Sequence, residues 1–523
     1  MSILTTGKPV RLMAAITAVL MPLTACTSAK PSPSSSGTPA GLERFHRQTL
    51  QWEKCDGYAK TATESTVMGM VDGLECTRMQ APLSYDDPGG RTVQIAVARR
   101  SAPGDALGSL VLNPGGPGGS GLFATATTAL GLDKAKSPLT GRFDLVGFDP
   151  RGVGATVPAV DCFSDAEADR GTVTLSAQGT TVQWTEQDTK AVVDRCVRGS
   201  GGPENLAHLG TRDVARDLDI LRTVLGDEKL TFLGQSYGTR LGAVYAEQFP
   251  SRVRAMLLDG GIDPTQGTLE RRVGAYAGFQ AAFERMAAFC AKQAGCPLGR
   301  DPKTATTQFQ KIMQPLYATP VPALGGELTF DAAIGGVISG LYAEAAWPRI
   351  IKGITQIGQG RGDELAQLGY DFSGRDAKGA WPNFAEANYA INCMDEERLT
   401  EQQGGELRAA TYRQAPFMDP GADVLSGARD SCEHWPARPT LGYPYADDVT
   451  GLPGTLVVSI TGDPTTPHAG GIRLAETLGS TLLTVRGEGH TVVMAGTNPC
   501  VDRIAAAYLI DLELPEEGTT CDS

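Results

Sequence analysis

The sequence predicts an α/β protein: a mostly parallel sheet with helices on both faces, interrupted by an inserted, mainly helical lid. Short apolar runs alternate with helix-period segments from about residue 90. The alternation breaks at Asp263-Pro264, and two strand–loop units return after residue 445. Alternation of this kind buries parallel strands under helices, and an interruption followed by resumption marks an insertion.

In chain order, residues 93–98 alternate as a strand. Residues 109–112 form a short apolar run ending in Asn113-Pro114-Gly115-Gly116-Pro117-Gly118-Gly119, and residues 143–148 form another ending in Asp149-Pro150-Arg151-Gly152. Residues 212–225 carry Val214, Leu218, Leu221 and Leu225 at helical spacing, with Gly226 as a stop signal. Residues 230–233 and 253–258 read as strands, as do 455–460 and 481–485, with a helix around 504–509. These elements divide the chain into a core of residues 46–263 and 446–523, with a lid at 264–445.

Apolar residues make up 41% of the 523 and charged residues 20%, which excludes a disordered or fibrous chain. A net charge of −13 without a basic tract argues against a nucleic-acid partner. Lys8 and Arg11, the apolar residues 12–20 and Leu23-Thr24-Ala25-Cys26 read as a bacterial lipoprotein signal over residues 1–25, with Cys26 as the lipidated residue. An ordinary signal peptide containing a Cys is the alternative. The Ser-, Pro- and Gly-rich segment that follows cannot bury a core and reads as a flexible tether over residues 26–45. The expected location is therefore the outer face of the cell membrane, held by lipid alone.

Eleven Cys are present, and an exported protein with an odd count asks for one outside the disulfides. Cys26 supplies it, leaving five pairs to form in an oxidising compartment. Connectivity is open at this level; sequential pairing, which closes short loops throughout, is the simplest arrangement. A metal site is not expected, since no C-x-x-C pair occurs and His numbers only five. No cofactor is implied.

Gly234-x-Ser236-x-Gly238 follows the strand at 230–233 and precedes a helix pattern with Leu241, Val244 and Tyr245 inward. In that context it is a nucleophile elbow, the tight strand-to-helix turn that exposes a serine. A serine hydroxyl needs a base, and the base needs an orienting acid. The two late strands end in Thr461-Gly462-Asp463-Pro464 and Gly487-Glu488-Gly489-His490, giving Ser236, Asp463 and His490 in the chain order Ser, acid, His. His468 reads as structural. The oxyanion donors expected are the N–H of Tyr237 and one from the Gly-rich loop after residue 112, Gly116 first and Gly115 next. No Lys follows that loop, so it is not a phosphate cradle.

With Gly234-Gln235-Ser236-Tyr237-Gly238-Thr239, Asn113-Pro114-Gly115-Gly116-Pro117-Gly118, Gly147-Phe148-Asp149-Pro150-Arg151-Gly152, Asp463-Pro464-Thr465-Thr466-Pro467 and Gly489-His490-Thr491, the chain resembles the α/β-hydrolase peptidases related to proline iminopeptidase. More closely, it resembles the exported bacterial tripeptidyl aminopeptidases with a TAP-like C-terminal domain. Pro114 stands where iminopeptidases carry His, which favours the tripeptidyl branch. The resemblance implies an α/β-hydrolase fold and a serine peptidase acting on free N-termini of peptides. Arg151 is read as structural, tying loops near the site.

An aminopeptidase must anchor a substrate ammonium at a set distance from the nucleophile, and a desolvated ammonium needs a carboxylate. Asp395 is the first candidate, near Cys393 where the lid returns to the core; Glu396 and Glu344 are the next. Two other readings compete: a lipase or esterase with the same triad, and a non-catalytic surface lipoprotein. The natural substrate and oligomeric state are not encoded in any motif.

Overall fold

The computed structural model describes residues 41–170, 185–422 and 429–523. The signal segment, Cys26 and the tether up to residue 40 lie outside the described residues. The tether ends sooner than expected: Glu43–His46 is helical and Phe45 is buried in the core.

Strands are numbered in chain order: β1 Glu53–Lys54, β2 Leu74–Pro82, β3 Thr92–Arg100, β4 Ser109–Asn113, β5 Asp144–Asp149, β6 Leu230–Gln235, β7 Val253–Asp259, β8 Val321–Ala323, β9 Gly326–Leu328, β10 Leu456–Gly462, β11 Thr481–Glu488 and β12 Thr520–Asp522. Ten of them form one sheet in the order β1-β2-β3-β5-β4-β6-β7-β10-β11-β12. β1, β2, β3 and β5 pair antiparallel in succession, and every pair from β5 to β12 is parallel. Strands β1, β2 and β12 were not expected from sequence. β2 carries Glu75, Arg78 and Gln80 among its apolar residues, and a nine-residue pairing with β3, with β1 on its other edge, makes it a strand.

Side chains along a strand alternate between faces, and here each face has its own apolar cluster. Leu110, Leu112, Leu233, Leu456 and Val458 point to one face with Leu122, Ala126, Val501 and Leu509 of two covering helices. Val111, Phe232 and Val457 point to the other, under Val214, Leu218, Leu241 and Leu474. The helices Thr211–Val224 and Tyr237–Gln248 on that second face match the periodicity of their sequences.

The lid is mainly helical, with a small β8–β9 hairpin that its sequence pattern did not suggest. Its own core gathers Phe279, Phe283, Phe309, Ile350 and Phe417. A second cluster joins Val160, Val193 and Leu206, from the segment between β5 and β6, to Tyr389, Ile391 and Trp435 of the lid and to Tyr237 of the elbow helix. The cover over the sheet is thus built from two stretches of chain. Five disulfides pair the cysteines sequentially: Cys55–Cys76, Cys162–Cys196, Cys290–Cys296, Cys393–Cys432 and Cys500–Cys521.

Candidate active site

β6 ends at Gln235 and the helix starts at Tyr237, so Ser236 alone makes the turn, at φ 56° and ψ −121°. A non-glycine residue held there is strained by about 1–3 kcal/mol, and such strain persists only where neighbours enforce it. They do: Ser236 N–H donates to Asp259 O at 2.8 Å, and Ser236 O accepts from Thr239 N–H at 2.8 Å and its hydroxyl at 2.7 Å. Gly234 is required because a Cβ would lie 2.3 Å from Gly238 O. Ser236 stands half-buried at the N-terminus of the helix, where the macrodipole favours developing negative charge.

Asp463 follows β10 and is 4% exposed. Its Oδ1 accepts the N–H groups of Thr465 and Thr466 at 3.0 and 2.8 Å, and its Oδ2 accepts the Thr466 hydroxyl at 2.9 Å. His490, after β11, presents Nδ1 to this carboxylate, 2.8 Å from Oδ2 and 3.0 Å from Oδ1. That contact makes Nδ1 the protonated nitrogen and leaves Nε2 as the base. Nε2 is buried and has no hydrogen-bond partner among the described residues. Burial alone would lower the His490 pKa; the charge and hydrogen bond of Asp463, with the charge of Asp259, outweigh it and raise it.

Two neighbours of this pair were not legible in sequence. Thr466 braces the Asp463 carboxylate, and Tyr342 from the lid accepts His490 N–H at 3.0 Å while its ring meets the imidazole edge-on at 5.3 Å. Both depend on contacts across long stretches of chain, which no local pattern reports. Among the described residues, no three His, Cys, Asp or Glu side chains converge as a metal site.

The Gly-rich loop after β4 closes on the elbow. A Cβ on Gly115 would fall 2.4 Å from Gln235 O, 2.8 Å from Ser236 Cβ and 3.0 Å from Tyr237 N. Only a residue without a side chain lets this loop approach the nucleophile. Gly115 N–H is itself engaged by Asn113 Oδ1 at 3.1 Å. On its outer side the loop packs against the lid helix Phe384–Asp395, where Asn388 Nδ2 donates to Pro117 O at 2.9 Å.

Two of the three expected amine anchors, Asp395 and Glu396, are corrected by the structure. Asp395 is fully buried, accepts Thr211 N–H and hydroxyl at 2.8 and 2.5 Å, and pairs with Arg240 at 3.5 Å. Glu396 is 2% exposed and clamped by Arg271 and Arg272. Asp395 is committed to holding the lid to the core, and Glu396 to ion pairs within the lid. Their helix is the reason: Ala387, Tyr389, Ala390, Ile391, Cys393 and Met394 make it apolar on nearly every side, and a carboxylate in such a helix is buried and paired. Glu344 stays exposed, close enough to Glu488 to raise its pKa further after burial has done so. Arg151 is structural as expected, with its guanidinium on Asp217 and the carbonyls of Pro82 and Leu83. His468 packs below the site with Nδ1 2.9 Å from Ser459 Oγ.

A cavity of about 750 Å³ lies between the two stretches of cover. Phe372 and Phe384 form part of its wall, 6.0 Å apart edge to face. The same two rings touch neighbours of the candidate catalytic groups: Phe372 lies 4.9 Å from the Tyr342 ring, and Phe384 would touch a Cβ on Gly116 at 3.0 Å. Carboxylates dominate the charged lining. Asp161, Asp165, Glu167, Asp169, Glu327, Asp331 and Glu386 line it together with Lys60 and Arg170, and Glu167 and Asp169 are paired with Arg195 and Arg375. Glu386 accepts Cys162 and Phe163 N–H groups at 3.2 and 2.9 Å, and burial raises its carboxyl to about 7.

The chain is 40% identical over 489 residues to serine protease Hip1 of Mycobacterium tuberculosis, covering 91% of each chain. It is 36% identical over 476 residues to carboxylesterase B of the same organism, covering 90% of this chain and 89% of the other. It is 28% identical over 512 residues to the tripeptidyl aminopeptidase of Streptomyces coelicolor, covering 93% and 88%. A family profile described as alpha/beta hydrolase fold matches residues 108–497, the span that holds the elbow, the acid and the imidazole. With that match over most of its length, the chain belongs to the alpha/beta hydrolase fold family.

Proposed function

We propose that the protein is an exported serine peptidase that releases tripeptides from the free N-termini of peptides through an acyl-enzyme. Ser236 Oγ attacks the scissile carbonyl as His490 Nε2 takes its proton, and Asp463 holds Nδ1–H and stabilises the imidazolium. The tetrahedral oxyanion is received by the N–H of Tyr237 and that of Gly116, since Gly115 N–H is already engaged. His490 returns the proton to the leaving amine, and water then repeats the cycle on the acyl-enzyme.

The observation that carries the peptidase reading is the acidic cavity beside the site. A chamber whose charged lining is mostly carboxylate favours a cationic group such as a peptide ammonium. The esterase reading keeps support from the relative named carboxylesterase B. The two separate in one assay of kcat/KM on a free-amine tripeptide p-nitroanilide, its N-acetylated form and a p-nitrophenyl ester. At least a tenfold preference for the free amine is expected, with all three activities abolished in Ser236→Ala. Equal rates on free and acetylated peptide, or turnover of the ester alone, would overturn the aminopeptidase reading.

Residues 1–25 and Cys26 are proposed to direct export and lipid anchoring, a reading supported by five disulfides that need an oxidising compartment. Cys26→Ala is expected to release active protein from membranes; retention in the membrane fraction contradicts the anchor.

A further inference from the structure

The parallel strands β6, β7, β10 and β11 are neighbours, and three of their C-terminal ends deliver Ser236, Asp463 and His490. The fourth, β7, ends at Asp259, between the nucleophile strand and the acid strand. Asp259 is 0% exposed. Its main-chain oxygen accepts Ser236 N–H at 2.8 Å. Its carboxylate Oδ2 accepts the N–H groups of Val492 and Val493, at 2.7 and 2.8 Å, in the loop that begins with His490. The next residue, Gly260, packs so close to the imidazole that a Cβ there would sit 3.2 Å from His490 Cε1.

We propose that Asp259 is a positioning residue of the catalytic site, fixing Ser236 and His490 relative to each other from the strand between them and holding a negative charge near the imidazole. The inference rests on the triad reading but not on the identity of the substrate. A buried carboxylate is costly, and a neutral amide could accept the same two N–H groups. Oδ1 has no hydrogen-bond partner among the described residues, so local hydrogen bonding leaves half of this carboxylate uncompensated. The charged groups that act on it are His490, from the loop after β11, and Asp463, from the loop after β10. Of these only His490 becomes cationic, and it does so at the step where Ser236 loses its proton. The burial that raises the Asp259 carboxyl to about 6 still leaves it ionised at neutral pH.

Asp259→Asn tests the charge while keeping the shape and one acceptor oxygen; Asp259→Ala removes both. With a p-nitrophenyl ester as substrate, we expect kcat to fall about tenfold in Asp259→Asn with KM nearly unchanged. Loss of the negative charge lowers the His490 pKa, so the acidic limb of kcat/KM moves to lower pH. In Asp259→Ala the loop is also released and kcat falls about a hundredfold, with slower labelling by a fluorophosphonate. Should the alanine variant fail to fold, the asparagine variant decides alone. An unmoved acidic limb in Asp259→Asn overturns the proposal whatever happens to kcat. Ser236→Ala run in parallel keeps the two readings apart: residual turnover there sinks the triad, whereas an inactive Ser236→Ala leaves the Asp259 result to stand by itself.

Discussion

Tyr342 of the lid holds His490 twice, accepting its main-chain N–H at 3.0 Å and meeting the imidazole edge-on with ring centroids 5.3 Å apart. The lid is therefore part of the catalytic geometry as well as a cover over it. The ring also contacts Phe279 and Phe372, at 5.7 and 4.9 Å, so the imidazole is seated against a packed aromatic group.

Removing that ring tests the coupling. An edge-to-face aromatic pair contributes about 0.5–1.5 kcal/mol beyond area burial, equivalent to roughly 2- to 12-fold in rate if the loss is felt in the transition state. Tyr342→Ala is expected to lower kcat on peptide and ester alike by that order. Tyr342→Phe should stay near wild type, because the hydroxyl contact with Thr465 Oγ1, at 3.4 Å, is long. A phenylalanine variant as impaired as the alanine one would shift the role from the ring to the hydroxyl.

The pH dependence follows from the two carboxylates near His490. Burial would push the imidazole down, but Asp463 and then Asp259 raise it above its ordinary value. Catalysis needs neutral imidazole, so the acidic limb of kcat/KM lies above the free imidazole pKa of about 6.5 and activity rises with pH through it. Stability has the opposite sense. The fold favours the protonated form, so this contribution is complete below the unfolded pKa and is lost as pH rises through the folded one. A limb at or below the free imidazole value in a pH-rate profile would contradict this electrostatic arrangement.

The disulfides differ in what they constrain. Cys393–Cys432 joins residues 39 apart and ties the lid helix to the chain returning toward the core; Cys290–Cys296 spans only 6. On the chain-entropy account the longer loop contributes about 1.7 kcal/mol more. Double serine replacement at 393 and 432 should therefore lower the unfolding midpoint more than replacement at 290 and 296. Equal losses in chemical denaturation would mean that native packing, and not loop closure, sets the difference.

The three candidate catalytic residues could be picked out because each sits at the end of an apolar strand and begins a turn with its own local signature: the glycines around Ser236, the prolines after Asp463, Gly489 before His490. The central strands were legible for the same reason, since parallel strands covered on both faces read as short apolar runs. β2 was missed because its outer residues are charged and its pairing is decided by β3. Tyr342 and Thr466 reach the imidazole through tertiary contacts. Asp395 failed differently: the apolar character of its helix was visible and pointed to burial, but proximity to the returning chain suggested a ligand.

The fate of Asp395 gives the sharpest contrast with the sequence-based expectation. Fully buried against Arg240 and Thr211, it is a structural charge, and burial raises its pKa while Arg240 and Thr211 oppose that rise. Asp395→Asn keeps the volume but leaves the Arg240 guanidinium buried without its carboxylate, and Arg240 Nε already has no hydrogen-bond partner among the described residues. Breaking one side of a buried pair typically costs about 3–5 kcal/mol. The variant should therefore unfold at markedly lower denaturant concentration. Tyr237 shares Thr211 Oγ1 with Asp395, at 2.6 Å, so disturbance reaches the elbow helix and affects every substrate. Equal losses of kcat/KM are expected on a free-amine tripeptide and on a small ester, measured below the unfolding transition. A tenfold loss confined to the free-amine peptide, with unchanged stability, would restore Asp395 as the ammonium anchor and require the lid helix to open toward the cavity in solution.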